Sequence, residues 1–189
     1  MTDLAALNIH FAPEEFAARR QAALALMQEC GLDGLLLFRQ ESMYYLTGYD
    51  TFGYVYVQCL WLGADGRMTL LTRAPDRLQA KFTSVIEDIR IWTDQAGADP
   101  FAMLKDILAG HGAAGKRLGV EWEAYGLTAR NGQRLTAELD GFCALADASD
   151  LVSRLRVVKS PAELAYVRRA AELADDALAA AEDLSLIHI

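Results

Sequence analysis

Histidine and cysteine are the residue types that most often bind metals or act as nucleophiles, and both are sparse in this sequence. The three histidines are His10, His111 and His188, and none has a partner at a metal-ligand spacing such as His-x-x-x-His. The sequence has no Gly-x-Ser-x-Gly turn for a serine nucleophile and no Cys-x-x-Cys pair. We interpret each histidine as a solvated or loop residue, and we predict neither a catalytic residue nor a metal ligand in this chain.

Two further patterns are only loosely similar to catalytic or phosphate-binding sites. Adjacent acids occur at Glu14-Glu15, Glu87-Asp88 and Asp175-Asp176, but neighbouring residues on a helix or strand point in different directions, which favours a solvated face. Residues 110–116 are rich in glycine and end in Lys116, yet their glycine order and their lack of a Lys-Ser/Thr end differ from a phosphate-binding loop. Such glycine clusters usually mark turns.

Residues 44–56 form the segment that most favours binding. The segment holds five tyrosines and one phenylalanine around two glycines. Aromatic side chains with polar tips on a flexible backbone suit a substrate wall or a partner interface. The alternative is that these rings fill the core beside a neighbouring hairpin. The residue types alone leave both interpretations open.

The composition favours small molecules or proteins as partners. With 18 Lys and Arg against 26 Asp and Glu, the formal net charge of −8 disfavours binding to nucleic acids and to anionic lipid. No apolar run approaches the roughly 18 residues of a membrane-spanning helix. The start of the chain carries Asp3 and no basic residue before Phe11, unlike a secretory signal. The three cysteines lie far apart among apolar neighbours, as buried free thiols do in a reducing compartment, so we expect a cytoplasmic protein.

Strand and helix patterns alternate along the chain and predict an α/β fold, a sheet with helices on its faces. Ala12-Pro13-Glu14-Glu15 begins a helix that Gly31 ends. The apolar run Leu35-Leu36-Leu37-Phe38 is typical of a central strand, and Ala64-Asp65-Gly66 joins two strands in a hairpin. The remaining predicted elements are hairpin strands at 54–62 and 68–72, a short helix after Pro75, strands at 89–92 and 118–121, helices at 100–110 and 127–139, an extended segment at 142–145 and a helical turn at 149–156.

The sequence Ser160-Pro161-Ala162-Glu163 is a capping box, which begins a helix. Apolar residues then recur at steps of three and four from Leu164 to Ala181, and charged residues occupy the other side, so a long amphipathic helix is expected. The predicted sheet domain already has helices of its own. We therefore assign this helix to a following domain, and we interpret residues 185–189, which break the pattern, as a truncation or cloning tail.

These features together resemble a known family. The helix from Pro13 to Cys30, the segment Tyr45-Leu46-Thr47-Gly48-Tyr49, the strand Leu118-Gly119-Val120-Glu121 and the run from Arg156 to Leu164 match, in order, the N-terminal domain of the creatinase/prolidase/aminopeptidase P family. The resemblance spans about residues 11–183. It implies an α/β N-terminal domain with a mixed sheet and a ribonuclease H-like motif at 1–158. It also implies that residues 159–184 are the linker and first helix of a "pita-bread" catalytic domain.

The resemblance also implies a function for a longer protein. Peptidase members of the family bind two divalent ions, such as manganese, cobalt or zinc, and cleave the bond before proline, whereas creatinase-like members use a histidine and no metal. None of those ligand or histidine positions is reached here, so we expect this chain alone to be inactive. In related homodimers the N-terminal domain lends residues to the neighbouring subunit's active-site mouth. The match assigns that role to the loop residues Tyr49, Asp50, Phe52, Tyr54 and Tyr56.

Three hypotheses for the function follow. The first is a dimerisation and substrate-access domain of a Xaa-Pro peptidase-like metallohydrolase, and its variant is the same domain of a creatinase-like or ectoine hydrolase-like C–N hydrolase. The second is a stand-alone binding or oligomerisation module. The third, a nucleotide-binding α/β domain, needs a glycine-rich turn after the first strand, and Phe38-Arg39-Gln40-Glu41 is not one.

Overall fold

The computed structural model describes residues 8–187 and contains seven α-helices and six β-strands within them. The elements are α1 (Pro13–Glu29), β1 (Gly34–Leu37), α2 (Gln40–Thr47), β2 (Cys59–Gly63), β3 (Met68–Arg73), α3 (Arg77–Thr83), β4 (Asp88–Trp92), α4 (Pro100–Gly110), β5 (Arg117–Val120), α5 (Ala129–Leu139), β6 (Ala144–Asp147), α6 (Leu151–Arg156) and α7 (Pro161–Ile187). Two single 3₁₀ turns occupy Gly53–Val55 and Ala74–Asp76.

The strands form one mixed sheet in the order β4-β3-β2-β1-β5-β6. Strand β2 runs antiparallel to both of its neighbours, and the other pairings are parallel. The carboxyl ends of β1, β3, β4, β5 and β6 therefore share one edge, which we call the carboxyl edge. The predicted mixed sheet with flanking helices is confirmed.

Each face of the sheet is covered by its own apolar cluster. Side chains alternate along a strand, and in β1 Leu35 and Leu37 join one cluster while Leu36 joins the other. Residues of α1, α2, α3 and α6 pack on the first face, and residues of α4 and α5 pack on the second. Every residue of β1 is buried, so the prediction of a central strand is confirmed.

Local sequence signals mark most element ends correctly. The predicted hairpin is formed by β2 and β3, with Gly66 in the left-handed region at φ 79°. Asp99 caps α4 by accepting hydrogen bonds from the Phe101 and Ala102 backbone N–H groups at 2.9 and 3.3 Å. The last strand, β6, begins two residues later than the predicted extended segment.

Two predictions about the aromatic segment are wrong. Tyr44 and Tyr45 lie in helix α2, not in a loop. The first hairpin strand begins at Cys59 and not at Tyr54, because residues 53–55 form a 3₁₀ turn that buried polar groups hold in place. One prediction about the thiols also needs correction, since Cys59 is buried but Cys30 is exposed.

The chain divides into two compact units between Leu155 and Arg156. In the second unit the predicted capping box is present: the Ser160 backbone N–H donates to Glu163 Oε2 at 2.8 Å, and the Glu163 N–H donates to Ser160 Oγ at 3.2 Å. Helix α7 continues to Ile187, three residues into the predicted tail, and residues 188–189 lie outside the described part of the chain. Whether α7 opens a further domain stays a prediction.

Helix α7 exposes its apolar side chains, including Leu164, Val167 and Leu178. Among the helices of residues 8–187, none combines the length and the apolar character needed to cross a membrane.

Candidate functional site

The aromatic loop between α2 and β2, residues 48–58, lies at the carboxyl edge of the sheet. Strand β2 runs against the other strands, so the connection that enters it must start at the edge where β1 and β3 end. Crevices outside the carboxyl ends of strands are common ligand sites in open α/β sheets. The topology thus brings the segment singled out by its composition to an edge suited to binding.

The loop leaves helix α2 through a tightly packed base. Gly48 ends α2 in the left-handed region at φ 82°, where a Cβ would lie 2.9 Å from the Thr83 carbonyl oxygen. Tyr49 is fully buried and its hydroxyl lies 3.3 Å from Thr72 Oγ1. Burial raises the pKa of the Tyr49 phenol above its usual value. This ring anchors the loop in the core.

A cluster of buried polar side chains, Thr51, Gln58 and Asp76, supports the middle of the loop, and we call it the polar hub. Thr51 Oγ1 accepts hydrogen bonds from the Gly53 backbone N–H at 2.9 Å and from Gln58 Nε2 at 3.1 Å. Gln58 Nε2 also donates to Asp76 Oδ2 at 3.3 Å. Because buried polar groups are costly unless they are paired, this network favours one loop conformation.

The tip of the loop is exposed above the hub. Phe52 is 85% exposed, Val55 60% and Tyr56 41%. The Tyr56 ring packs against the guanidinium of Arg73, whose Cζ lies 3.3 Å from the ring centroid, and Arg73 in turn lies 3.6 Å from Asp76. A cation over an aromatic face holds the ring in place. The tip therefore presents apolar and aromatic surface on a fixed base.

A buried carboxylate, Glu121, lies directly after β5 at the same edge. Its Oε2 accepts hydrogen bonds from the Phe38 and Arg39 backbone N–H groups, each at 3.0 Å, and its Oε1 accepts from Ser42 Oγ at 2.5 Å. Burial nevertheless raises the pKa of this carboxyl above its usual value. The three donors lie at the start of α2, so Glu121 fixes the helix that carries the loop.

The histidines and acid pairs that sequence reasoning weighed have structural partners. His10 Nδ1 lies 2.8 Å from the Tyr44 hydroxyl, and His111 Nε2 lies 2.8 Å from Thr69 Oγ1. Asp88 accepts from Thr69 at 2.8 Å and from Arg90 at 2.6 Å. Within residues 8–187, no three His, Cys, Asp or Glu side chains are grouped so that they could hold a metal ion.

The sequence pattern of the creatinase/prolidase N-terminal domain matches residues 19–158, which is most of the chain. This chain belongs to that family. The match includes every strand of the sheet, the aromatic loop and Glu121. The resemblance deduced from the residues is therefore confirmed.

Relatives of this creatinase/prolidase N-terminal domain include enzymes of two kinds. An uncharacterized hydrolase/peptidase from Sinorhizobium fredii is 30% identical over 169 residues, which is 86% of this chain and 43% of that protein. Ectoine hydrolase from Halomonas elongata is 29% identical over 174 residues, or 88% of this chain and 43% of that protein. The chain thus spans less than half the length of these curated relatives.

A solved structure confirms the fold of the creatinase/prolidase N-terminal domain. The structure of a Xaa-Pro aminopeptidase from Streptococcus pyogenes has a TM-score of 0.61 and 25% identity to this chain. The match covers 76% of this chain and 99% of that one.

The five residues predicted to form a substrate-access loop have different environments in this domain. Tyr49 is in the core, which is the alternative that the residue types left open for it. Asp50 and Phe52 are exposed and Tyr56 is partly exposed, whereas the Tyr54 side chain lies outside the described part of the chain. Their role at an active-site mouth stays a prediction.

Sequence reasoning missed the residues that hold the loop, which are Thr51, Gln58, Arg73, Asp76 and Glu121. The signal for Glu121 was a single acid that directly follows an apolar strand, and such an acid needs buried donors when the strand is central. The hub residues carry no comparable pattern.

Proposed function

We propose that this chain is the non-catalytic N-terminal lobe of a Xaa-Pro peptidase-like metallohydrolase and that its loop tip forms one wall of the substrate entrance. The single observation that carries the proposal is the exposed aromatic tip, Phe52 and Tyr56, on a buried polar base in a domain of this family. The relative named as a hydrolase/peptidase and the Xaa-Pro aminopeptidase structure support the peptidase branch.

The chemistry of the tip suits a proline-containing peptide. Aromatic faces pack well against the pyrrolidine ring, as they do in grooves that bind proline-rich segments. The base of the loop is ordered by its own contacts, so little conformational entropy is lost when a peptide binds. The tip has no general base or nucleophile among its described side chains, which fits a role in binding and not in bond breaking.

The proposal extends to the parts that this chain does not supply. It includes a homodimer in the cytoplasm and a pair of divalent ions, manganese, cobalt or zinc, in a catalytic domain. The residues described here do not fit such a metal pair, because they contain no group of three suitable ligands. The function of this lobe is therefore described without a metal-dependent step.

Assays of hydrolysis test the proposal. The 189-residue chain, incubated with a Xaa-Pro dipeptide and Mn²⁺ or Co²⁺, is expected to release no proline, whereas the product of the complete gene, read past codon 184, is expected to release it. Hydrolysis by the 189-residue chain would overturn the proposal.

A second measurement tests the loop itself. In the complete gene product, Phe52→Ala is expected to raise KM several-fold and to leave kcat nearly unchanged, because it removes binding that is equal in the ground and transition states. Tyr125→Ala is the matched control, since Tyr125 is 88% exposed outside the loop. Equal effects of the two substitutions would contradict a role for the tip.

The second candidate is the same lobe in a C–N hydrolase that acts on ectoine or creatine. The ectoine hydrolase relative, at 29% identity, favours it, and an aromatic tip also accepts small cations. Assay of the complete gene product with ectoine, creatine and a Xaa-Pro dipeptide in parallel distinguishes the two candidates.

A further inference from the structure

A half-buried arginine without an acidic partner lies near the amino ends of β3 and β4. Arg20, on α1, has no hydrogen bond or ion pair to any residue of the described chain. Burial lowers the pKa of its guanidinium, because no nearby carboxylate compensates for the lost water. Its neighbour Arg19 differs, since it pairs with Glu15 at 3.2 Å and donates to the Tyr45 carbonyl at 3.0 Å. A charge left in this state is suited to an anionic ligand.

Arg20 lines an open cavity of about 930 Å³. Small-molecule sites commonly have volumes of ~300–1,000 Å³, so the cavity is large enough for a drug-sized ligand. Its walls come from α1, the β2–β3 turn, the amino end of β4 and the carboxyl end of α4. The partly buried apolar residues of these walls are Met68, Val85, Met103 and Ile107.

The carboxylate inside the cavity is already engaged. Asp88 accepts hydrogen bonds from Arg90 Nε at 2.6 Å and from Thr69 Oγ1 at 2.8 Å. The two other acids of the lining, Glu87 and Asp106, are exposed at the rim, where water and salt screen their charge. Among the described residues, the unpaired partly buried charge of the cavity is therefore the Arg20 cation.

His111 belongs to the same wall and its ring is held in one orientation. Thr69 gives its only hydroxyl proton to Asp88, whose carboxylate can only accept. The Thr69 oxygen must then accept from His111 Nε2, which lies 2.8 Å away. The imidazole is thus a fixed part of the wall and does not compete for the Arg20 guanidinium.

We propose that this cavity binds a small monocarboxylic acid with an apolar or aromatic body. The carboxylate pairs with Arg20, because a guanidinium offers parallel N–H donors that match the two carboxylate oxygens. The body of the ligand packs against Met68, Val85, Met103 and Ile107, and the two methionines can adapt to more than one shape. The cavity lies at the edge opposite the aromatic loop, so the proposal does not depend on the function proposed for that loop.

A matched pair of ligands tests the proposal in the 189-residue chain labelled with ¹³C in the methionine methyl groups. Phenylpropionate, titrated into the protein, is expected to shift the Met68 and Met103 methyl signals in a saturable way. Met27 and Met43 are buried in the core and serve as internal controls. Phenylpropionamide has the same body without the charge, and it is expected to bind at least about tenfold more weakly, the effect of losing one charged hydrogen-bonded pair.

Variants locate the anion site. Arg20→Met is expected to weaken phenylpropionate binding about tenfold, to the affinity of the amide. Arg130→Met is the control, because Arg130 is exposed on α5 away from the cavity lining, and it is expected to leave the affinity within a factor of two. Equal affinities for acid and amide would overturn the proposal, as would full affinity in Arg20→Met. So would the lack of any Met68 or Met103 shift at ~20 mM ligand, where even millimolar sites are occupied.

Discussion

Replacement of Gly53 by alanine tests whether the polar hub holds the aromatic loop rigidly. A Cβ at residue 53 would lie 2.6 Å from Asp76 Oδ2 and closer still to Gln58 Nε2, and real Cβ atoms do not approach other heavy atoms so closely. The backbone at Gly53 is not in the left-handed region, so crowding and not backbone strain decides the outcome. Gln58 must therefore move, and it cannot do so without losing its hydrogen bonds to Thr51 and Asp76.

The magnitude follows from those two bonds. A neutral hydrogen bond contributes about 1 kcal/mol and one to a charged group about 1.5–3 kcal/mol, and both would be lost. Alanine also restricts the unfolded chain, which returns about 0.4–1 kcal/mol. We expect the free energy of unfolding to fall by about 2–3 kcal/mol, and the melting temperature by roughly 4–12 °C for a chain of this size.

Urea unfolding followed by circular dichroism measures this change, and Gly110→Ala is the matched control. Gly110 is the last residue of α4 and has no heavy atom within 4 Å of its Cβ position. Its replacement is expected to leave stability unchanged or to raise it by up to about 1 kcal/mol. A Gly53→Ala protein within about 0.5 kcal/mol of the wild type, the range of a neutral surface substitution, would refute the reasoning.

Three further substitutions test the parts around the loop. Glu121→Gln removes a carboxyl whose pKa burial raises, so the native wild type takes up a proton more readily than the unfolded chain, and its stability relative to the variant is expected to fall as the pH rises from 4.5 to 8 in urea titrations; a relative stability that rises with pH would contradict this. Asp99→Ala removes the cap of α4 and the 3.0 Å contact to Arg134, and it is expected to cost about 1–2 kcal/mol in the same assay. Phe52→Ser changes an exposed side chain and is expected to alter stability by less than about 0.5 kcal/mol, so a large loss would place the ring in the core.

Most of the sheet could be predicted because its signals are local. The helix start at Pro100 depends on Asp99 directly before it, the hairpin depends on a glycine at its turn, and the capping box depends on two residues three apart. Each of these contacts forms between residues that are close in sequence. Pattern reading therefore finds the elements and errs by one to a few residues at their ends.

The support of the loop could not be predicted because its partners are distant in sequence. Gln58 meets Asp76 across 18 residues, Tyr49 meets Thr72 across 23, and Glu121 meets Ser42 across 79. Tyr49 and Tyr56 have the same side chain, yet one is buried and the other is partly exposed. Only the register of β2 against β3 decides which ring reaches the core, and no local pattern encodes that register.

The buried base explains how the domain can keep an apolar tip in water. An exposed aromatic ring on a mobile loop can fold back onto nearby apolar surface, which removes it from any ligand. Here Tyr49 fixes one end of the loop in the core, and the Trp92 indole N–H fixes the other by donating to the Val57 carbonyl at 2.9 Å. The hub then fills the space beneath the tip, so Phe52 has no apolar cavity to enter. Exposure of this ring is thus a consequence of the packing below it, and that packing is what makes the tip a ready surface for a ligand.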